Sequence, residues 1–147
     1  MSNRVVCDAS ALVALLLDSG SDGSWVAEAL AGAELAGPSL VGYETANIIR
    51  RHELAGLISA DQAAQAHADL LDITIEHWPH ELLATRAWQL RPNLSIYDAS
   101  YVALAELVKA VLVTLDRRIA GAAGLRCTVT TPPSVASHKF GDTEAPW

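Results

Sequence analysis

Four acidic residues stand where the chain passes from one local pattern to another. Asp8 ends the apolar run Val5-Val6-Cys7, and Asp116 ends the run from Val111 to Leu115. Asp98 lies three residues after Ser95, at the head of an apolar-periodic stretch, and Glu44 lies early in another. Carboxylates gathered at one edge repel one another unless a cation sits among them, and hard oxygen donors of this kind suit Mg²⁺ or Mn²⁺. An ion held so could activate water for hydrolysis of a phosphate ester. Each acid alone has a plainer reading. An aspartate between strand and helix is a common N-cap, Asp98 complements a helix dipole, and Glu44 can be a surface residue. The decisive matter is whether the fold brings them together.

The elements that must do so follow from hydrophobic period. After Asp8, the residues Leu12, Val13, Leu16 and Leu17 give a helical stripe that should stop near Asp18, in a run of turn residues to Gly23. Ser24 is expected to cap a second helix closed by Gly32, followed by a strand over Glu34 to Gly37. Pro38 and Ser39 open a longer helix, Leu40 to about Ala55, with Gly56 as its left-handed cap. On that helix Glu44, Asn47, Ile48 and Arg51 recur at i, i+3, i+4 and i+7, placing an acid, an amide and a base on one face. A solvated face seldom needs that mixture.

Ser59 to Gln62 reads as a capping box for a helix to about Leu71, and Ile73 to Glu76 alternates as a strand. A helix from Pro79 to Leu90 comes next, then one begun at Ser95 whose buried face includes Tyr101, Val102, Ala105 and Val108. The apolar strand Val111 to Leu115 ends at Asp116, a short helix runs from Arg117 to Ala123 with Gly124 after it, and Cys127 to Thr131 forms a last strand. Strand and helix alternate throughout. That predicts an α/β fold, a parallel sheet of about five strands with helices on both faces, in which ligand chemistry collects outside the carboxyl ends of the strands.

Composition narrows the class. The 147 residues, 51% of them hydrophobic, suit one compact domain with a sizeable core. We expect that domain to span 1–131, with 132–147 as a C-terminal extension or tail. A net charge of −7 excludes a broadly basic nucleic-acid module, so any contact with nucleic acid must be local. Arg50, Arg51, Arg86, Arg91, Arg117 and Arg118 are the candidates for phosphate, and Tyr97 or a tryptophan for a stacked base. Most such arginines pair with nearby acids. Cys7 and Cys127 read as thiols of a reducing compartment. With no signal-like or membrane-length apolar segment, the expected location is the cytoplasm.

The motifs Val5-Val6-Cys7-Asp8-Ala9-Ser10, Tyr43-Glu44-Thr45-Ala46-Asn47 with Arg50-Arg51, Tyr97 to Ala105, and Thr114-Leu115-Asp116 together resemble the PIN-domain ribonucleases, and within them the VapC toxins. The resemblance runs from about Val5 to Thr131. It implies a compact PIN-like fold and a divalent-metal-dependent endoribonuclease, the toxin of a toxin–antitoxin pair. It also implies Mg²⁺ or Mn²⁺ held by Asp8, Glu44 and Asp98, with Asp116 as a fourth acid, and Ser10, Thr114 and Asn47 supporting them. Products with 5′-phosphate and 3′-hydroxyl ends, a VapB-like antitoxin and a homodimer are further implications.

Other readings rank lower. His77 and His80 flank Pro79 without a cysteine and suit the surface better than a metal. A haloacid dehalogenase phosphatase wants an aspartate where Ser10 stands, and a receiver domain wants paired acids after the first strand. A non-catalytic PIN-like interaction protein and a processing nuclease without an antitoxin remain as alternatives.

Overall fold

A computed structural model describes residues 3–134. In chain order the elements are β1 (Arg4–Cys7), α1 (Ala9–Leu17), α2 (Ser21–Leu30), β2 (Glu34–Pro38), α3 (Val41–Leu54), α4 (Ala60–Asp72), β3 (Ile75–Trp78), α5 (His80–Gln89), α6 (Ile96–Val108), β4 (Val111–Val113), α7 (Arg117–Ala120) and β5 (Val129–Thr130). The expected extension lies mostly outside the described residues.

All strand pairings are parallel and the sheet order is β3-β2-β1-β4-β5. Val5 pairs with Leu35 on one side and Val111 on the other, so β1 is central and must be apolar on both faces. Val6 and Leu112 are fully buried, as are Leu12 of α1 and Val102 and Leu104 of α6. Such burial contributes about 1.5–3 kcal/mol for each large side chain. Helix α1 packs against α2, α3 and α4, whereas α5 packs on α6, which lies across β1, β2 and β4. The sheet therefore lies between two helical layers.

This strand order fixes where a site can form. From β1 the chain builds outward through β2 to β3, then returns to add β4 on the other side of β1. The segments leaving β1 and β4 diverge, which opens a crevice between the carboxyl ends of these two neighbours. Asp8 follows β1 directly. Asp116 does not follow β4 directly, because the strand ends at Val113.

Local differences from the sequence expectation have local causes. Helix α2 begins at Ser21 with Gly20 as its N-cap, one turn before Ser24, because Gly23 lets the helix start against the end of α1. Strand β3 begins at Ile75, since Ile73 is still spent closing α4, its N–H bonded to the Leu70 carbonyl. Helix α7 stops at Ala120 and strand β5 is only Val129–Thr130, both shorter than their apolar patterns suggest. Gly32 and Gly56 take left-handed φ values of 70° and 75° where helices were expected to close. Ser59 and Gln62 form the reciprocal capping box at the head of α4.

Two glycines in helices test this account with opposite signs. A Cβ on Gly23 would lie 1.8 Å from the Asp18 carbonyl oxygen, and one on Gly42 would meet nothing within 4 Å. Gly23→Ala should destabilise the fold by about 1–3 kcal/mol, because the α1–α2 contact must open. Gly42→Ala should stabilise it by up to about 1 kcal/mol through helix propensity. Urea unfolding checks both, and equal effects from the two variants would contradict the packing argument.

Candidate active site

The first carboxylate is fixed by the end of β1. Asp8 is 5% exposed and caps α1, its Oδ1 accepting from the Ala11 N–H at 3.0 Å and from the Ser10 hydroxyl at 2.7 Å. Its Oδ2 accepts from the Thr114 hydroxyl, which arrives from the residue after β4. Thr114 Oγ1 in turn accepts from the Asp116 N–H at 2.9 Å, and Ser10 Oγ accepts from the Leu115 N–H at 3.1 Å. Two buried hydroxyls thus tie the ends of β1 and β4 together around one acid. Asp8 is a helix cap and a member of the cluster at once.

Helices α3 and α6 bring the next two. Val41, Thr45 and Ile48 face the core on α3, which carries Glu44 to the crevice on the adjoining face. Its Oε1 accepts from the buried Tyr101 hydroxyl of α6 at 2.6 Å. Asp98 sits in the first turn of α6, its N–H bonded to the Ser95 hydroxyl at 3.1 Å. Asp116 caps α7 and is gripped by Arg118, with the backbone N–H at 2.9 Å and the guanidinium at 3.1 Å and 2.8 Å.

All four acids line one cavity of about 330 Å³. Its electrostatics follow from crowding. Burial pushes Asp8 up to about 6, against three hydrogen bonds that lower it, and the Asp98 charge raises it further. Burial and the same Asp98 charge raise Glu44, although the Tyr101 hydroxyl pulls it down. Burial and the Asp116 charge raise Asp98 itself. Asp116 differs: burial would raise it, but the bonds and charge of Arg118 outweigh that and hold it below its ordinary value. Asp98 is therefore the charge that both Asp8 and Glu44 feel.

In kind the donor set fits a hard divalent cation: four oxygen-bearing acids in one cavity, three of them resisting ionisation there. In position it stands differently. Among the described residues no three His, Cys, Asp or Glu side chains are arranged to hold an ion, and Asp8, Glu44 and Asp116 each accept from a protein donor.

Asn47, Ile48 and Arg51 also line the cavity, as the face shared with Glu44 requires. Asn47 makes no hydrogen bond to an acid; its oxygen faces Arg50 at a long 3.5 Å. Arg51 and Arg118 are the cations of the wall, and Tyr97 stands there 62% exposed. Three of the other candidate arginines are used elsewhere. Arg86 pairs with Glu106 at 2.6 Å, Arg91 stacks on Trp88 and Arg117 bonds the Pro132 carbonyl. His77 and His80 are exposed, as the surface reading expects. Tyr101 is the residue sequence reasoning placed only in the core. Its offset of three from Asp98 was the available signal, since that spacing puts both on one helical face.

Comparison with known proteins agrees with this geometry. The family model for the PIN domain matches residues 5–125. The chain belongs to the PIN-domain family. Ribonuclease VapC9 of Mycobacterium tuberculosis is 36% identical over 129 residues, covering 88% of this chain and 98% of that protein. Ribonuclease VapC1 of the same organism is 37% identical, covering 86% and 96%. These relatives place the chain with the VapC ribonucleases. Among solved structures, PAE2754 from Pyrobaculum aerophilum superposes with a TM-score of 0.64 at 25% identity, over 86% of this chain and 82% of that one. VapC20 of Mycobacterium tuberculosis, described as a toxin cleaving the sarcin-ricin loop, shares the fold with a TM-score of 0.61 at 16% identity, over 84% and 98%. VapBC2 from Rickettsia felis, solved on a promoter DNA fragment, does so at 0.62 and 12%, over 87% and 98%.

The buried aspartate of this PIN domain gives a signed pH prediction. The value for Asp8 rises from 3.8 to about 6 on folding, so its contribution to stability is fully present below 3.8 and is lost as pH climbs through 6. Glu44 and Asp98 act in the same direction. Asp116 and Glu106, whose values are lowered, lose their contribution only as pH falls through still lower values. Buried His52, lowered by burial, acts in the opposite sense as pH rises towards its ordinary value, so the quantity to measure is the difference between wild type and Asp8→Asn. Relative to Asp8→Asn, the metal-free wild type should lose on the order of 2–3 kcal/mol between pH 4 and pH 7. Urea unfolding in EDTA reads this. Parallel pH profiles for the two proteins would show that Asp8 does not titrate between folded and unfolded states as its burial requires.

Proposed function

We propose that this chain is a divalent-metal-dependent endoribonuclease of the VapC type, the toxin of a type II toxin–antitoxin pair. The observation that carries the reading is the convergence of Asp8, Glu44, Asp98 and Asp116, from four separate segments, on one cavity at the sheet edge where β1 and β4 end. The VapC relatives, named as ribonucleases over nearly their full lengths, support the same activity.

Asp8, Glu44 and Asp98 are the residues that would hold Mg²⁺ or Mn²⁺, with Asp116 as a fourth acid acting directly or through water. When bound, the ion supplies Lewis acidity, activating water and offsetting charge on the phosphoryl oxygens. The protein's part is arrangement. Ser10 and Thr114 fix the direction of the Asp8 carboxylate, and Asn47 supports the wall beside Glu44. Arg51 and Arg118 offer guanidinium groups to phosphate oxygens at the rim, and Tyr97 offers a ring on which an unpaired base can stack. The hydrolysis needs no side-chain nucleophile.

The further parts of the reading are architectural and biological. Residues 1–131 make up the nuclease domain and 132–147 an extension, the protein acts in the cytoplasm, and two copies pair to flank the RNA. Among the described residues no helix is long and apolar enough to cross a membrane. The expected inhibitor is a small VapB-like antitoxin whose apolar helix packs on the body and whose Arg or Lys enters among the acids. Its inhibition should weaken as Mn²⁺ is raised.

Purified protein should cleave RNA with Mg²⁺ or Mn²⁺, stop in EDTA and fall to background as Asp98→Asn. Because Asp98 is crowded by its fellow acids, the same variant should unfold in EDTA at the wild-type temperature or above it. Its midpoint should rise much less with added Mn²⁺ than that of the wild type. Cleavage that persists in chelator, or an identical Mn²⁺ response from both proteins, would defeat the metal mechanism.

A further inference from the structure

Tyr101 contributes more than volume. The residue is 1% exposed, making it the largest fully buried side chain among the described residues, yet its hydroxyl reaches the cavity wall and donates to Oε1 of Glu44 at 2.6 Å across a separation of 57 residues. A buried tyrosine normally finds a partner for its hydroxyl, and a backbone carbonyl would serve. Here the partner is a carboxylate crowded by Asp98. The contact divides that carboxylate: Oε1 is held, whereas among the described residues Oε2 accepts no protein hydrogen bond.

We infer that Tyr101 is a positioning residue for the cation site, holding Glu44 so that its second oxygen faces the ion. This rests on the reading of Glu44 as a ligand. The helix supplies the rigidity. Asp98 and Tyr101 are one turn apart on α6, so the element that carries one acid also clamps the acid brought by α3. A hydrogen bond to a ligand from a side chain behind it typically governs metal affinity by a factor of ten to one hundred. The aromatic ring keeps the core filled, so Tyr101→Phe removes the clamp and little volume.

The experiment is a Mn²⁺ titration followed by thermal unfolding and, separately, by RNA cleavage, for wild type, Tyr101→Phe, Glu44→Gln and Val26→Ala. Val26 is fully buried in α2 and outside the cavity wall, so its variant reports general loosening. Tyr101→Phe should need roughly ten times more Mn²⁺ for half its thermal shift, with cleavage largely restored at saturating Mn²⁺. Val26→Ala should melt lower with an unchanged half-saturation. An unchanged Mn²⁺ requirement in Tyr101→Phe, or the same increase in Val26→Ala, overturns the inference. If Glu44→Gln responds to Mn²⁺ as wild type does, the ligand reading of Glu44 fails first. If Glu44→Gln loses the response and Tyr101→Phe keeps it, only the clamp fails. Should Tyr101→Phe not fold, Glu44→Gln and Glu44→Gln/Tyr101→Phe carry the test, since removing both partners leaves no unpaired buried carboxylate. Equally weakened Mn²⁺ responses in those two proteins are expected, and a further loss in the double variant would overturn the inference by showing that Tyr101 acts other than through Glu44.

Discussion

A carboxylate that is 5% exposed at the end of a central strand is the constraint on which this molecule turns. Water cannot satisfy Asp8, so the protein must, and it does so from both sides of the crevice. The Ala11 N–H and Ser10 hydroxyl come from the segment after β1, and the Thr114 hydroxyl from the segment after β4. Burial still wins, because the acid sits well above its ordinary value despite three donors. Such an arrangement is costly for a fold that needs only a helix cap, since a surface aspartate caps equally well. The burial becomes intelligible if the charge is meant to be met by something else.

The same logic orders the other acids. Asp116 has its own cation in Arg118 and is at ease, while Glu44 and Asp98 are raised and the Asp98 charge raises both Asp8 and Glu44. The cavity therefore joins one acid held down by an arginine to three whose ionisation burial opposes. Divalent oxygen chemistry belongs with those three. Helix α6 is the element that makes this possible, since it delivers Asp98 to the cavity while packing against β1, β2 and β4 along most of its length.

Much of this is legible in the residue pattern, and the losses have physical causes. Strong periods survive translation into structure: α3, α4, α5 and α6 lie within two residues of their expected ends, with Ser59, Ser95, Gly32 and Gly56 serving as the caps their types suggest. Short elements fare worse. The apolar run through Leu115 looks like strand to its end, but past Thr114 the backbone N–H groups of Leu115 and Asp116 turn to the Ser10 and Thr114 hydroxyls instead of a neighbouring strand, and β4 ends at Val113. Gly23 reads as part of a turn because composition cannot reveal that its missing Cβ is needed for contact between α1 and α2. At the cavity, a period of 3.6 places Glu44 beside Asn47 and Arg51, which is local information. Which hydroxyl holds which acid is not, since Tyr101 and Glu44, or Thr114 and Asp8, meet only through the sheet order.

The charge balance leads one step further. With a net charge of −7, the chain repels RNA at long range, and most candidate cations are already committed: Arg86 to Glu106, Arg91 to Trp88, Arg117 to the Pro132 carbonyl. What faces the cavity is four carboxylates against Arg51 and Arg118, and Arg118 is shared with Asp116. A phosphate cannot be drawn into that field by protein charge alone, because the local balance has the same sign as the ligand. Under the proposed function, the ion that activates water is then also what makes the cavity attractive to a phosphodiester. Substrate affinity and metal occupancy become one linked equilibrium rather than two, in which each ligand must raise the affinity for the other by the same factor. An acidic ribonuclease of this design needs no basic face, provided that its acids stay poorly neutralised until the cation arrives.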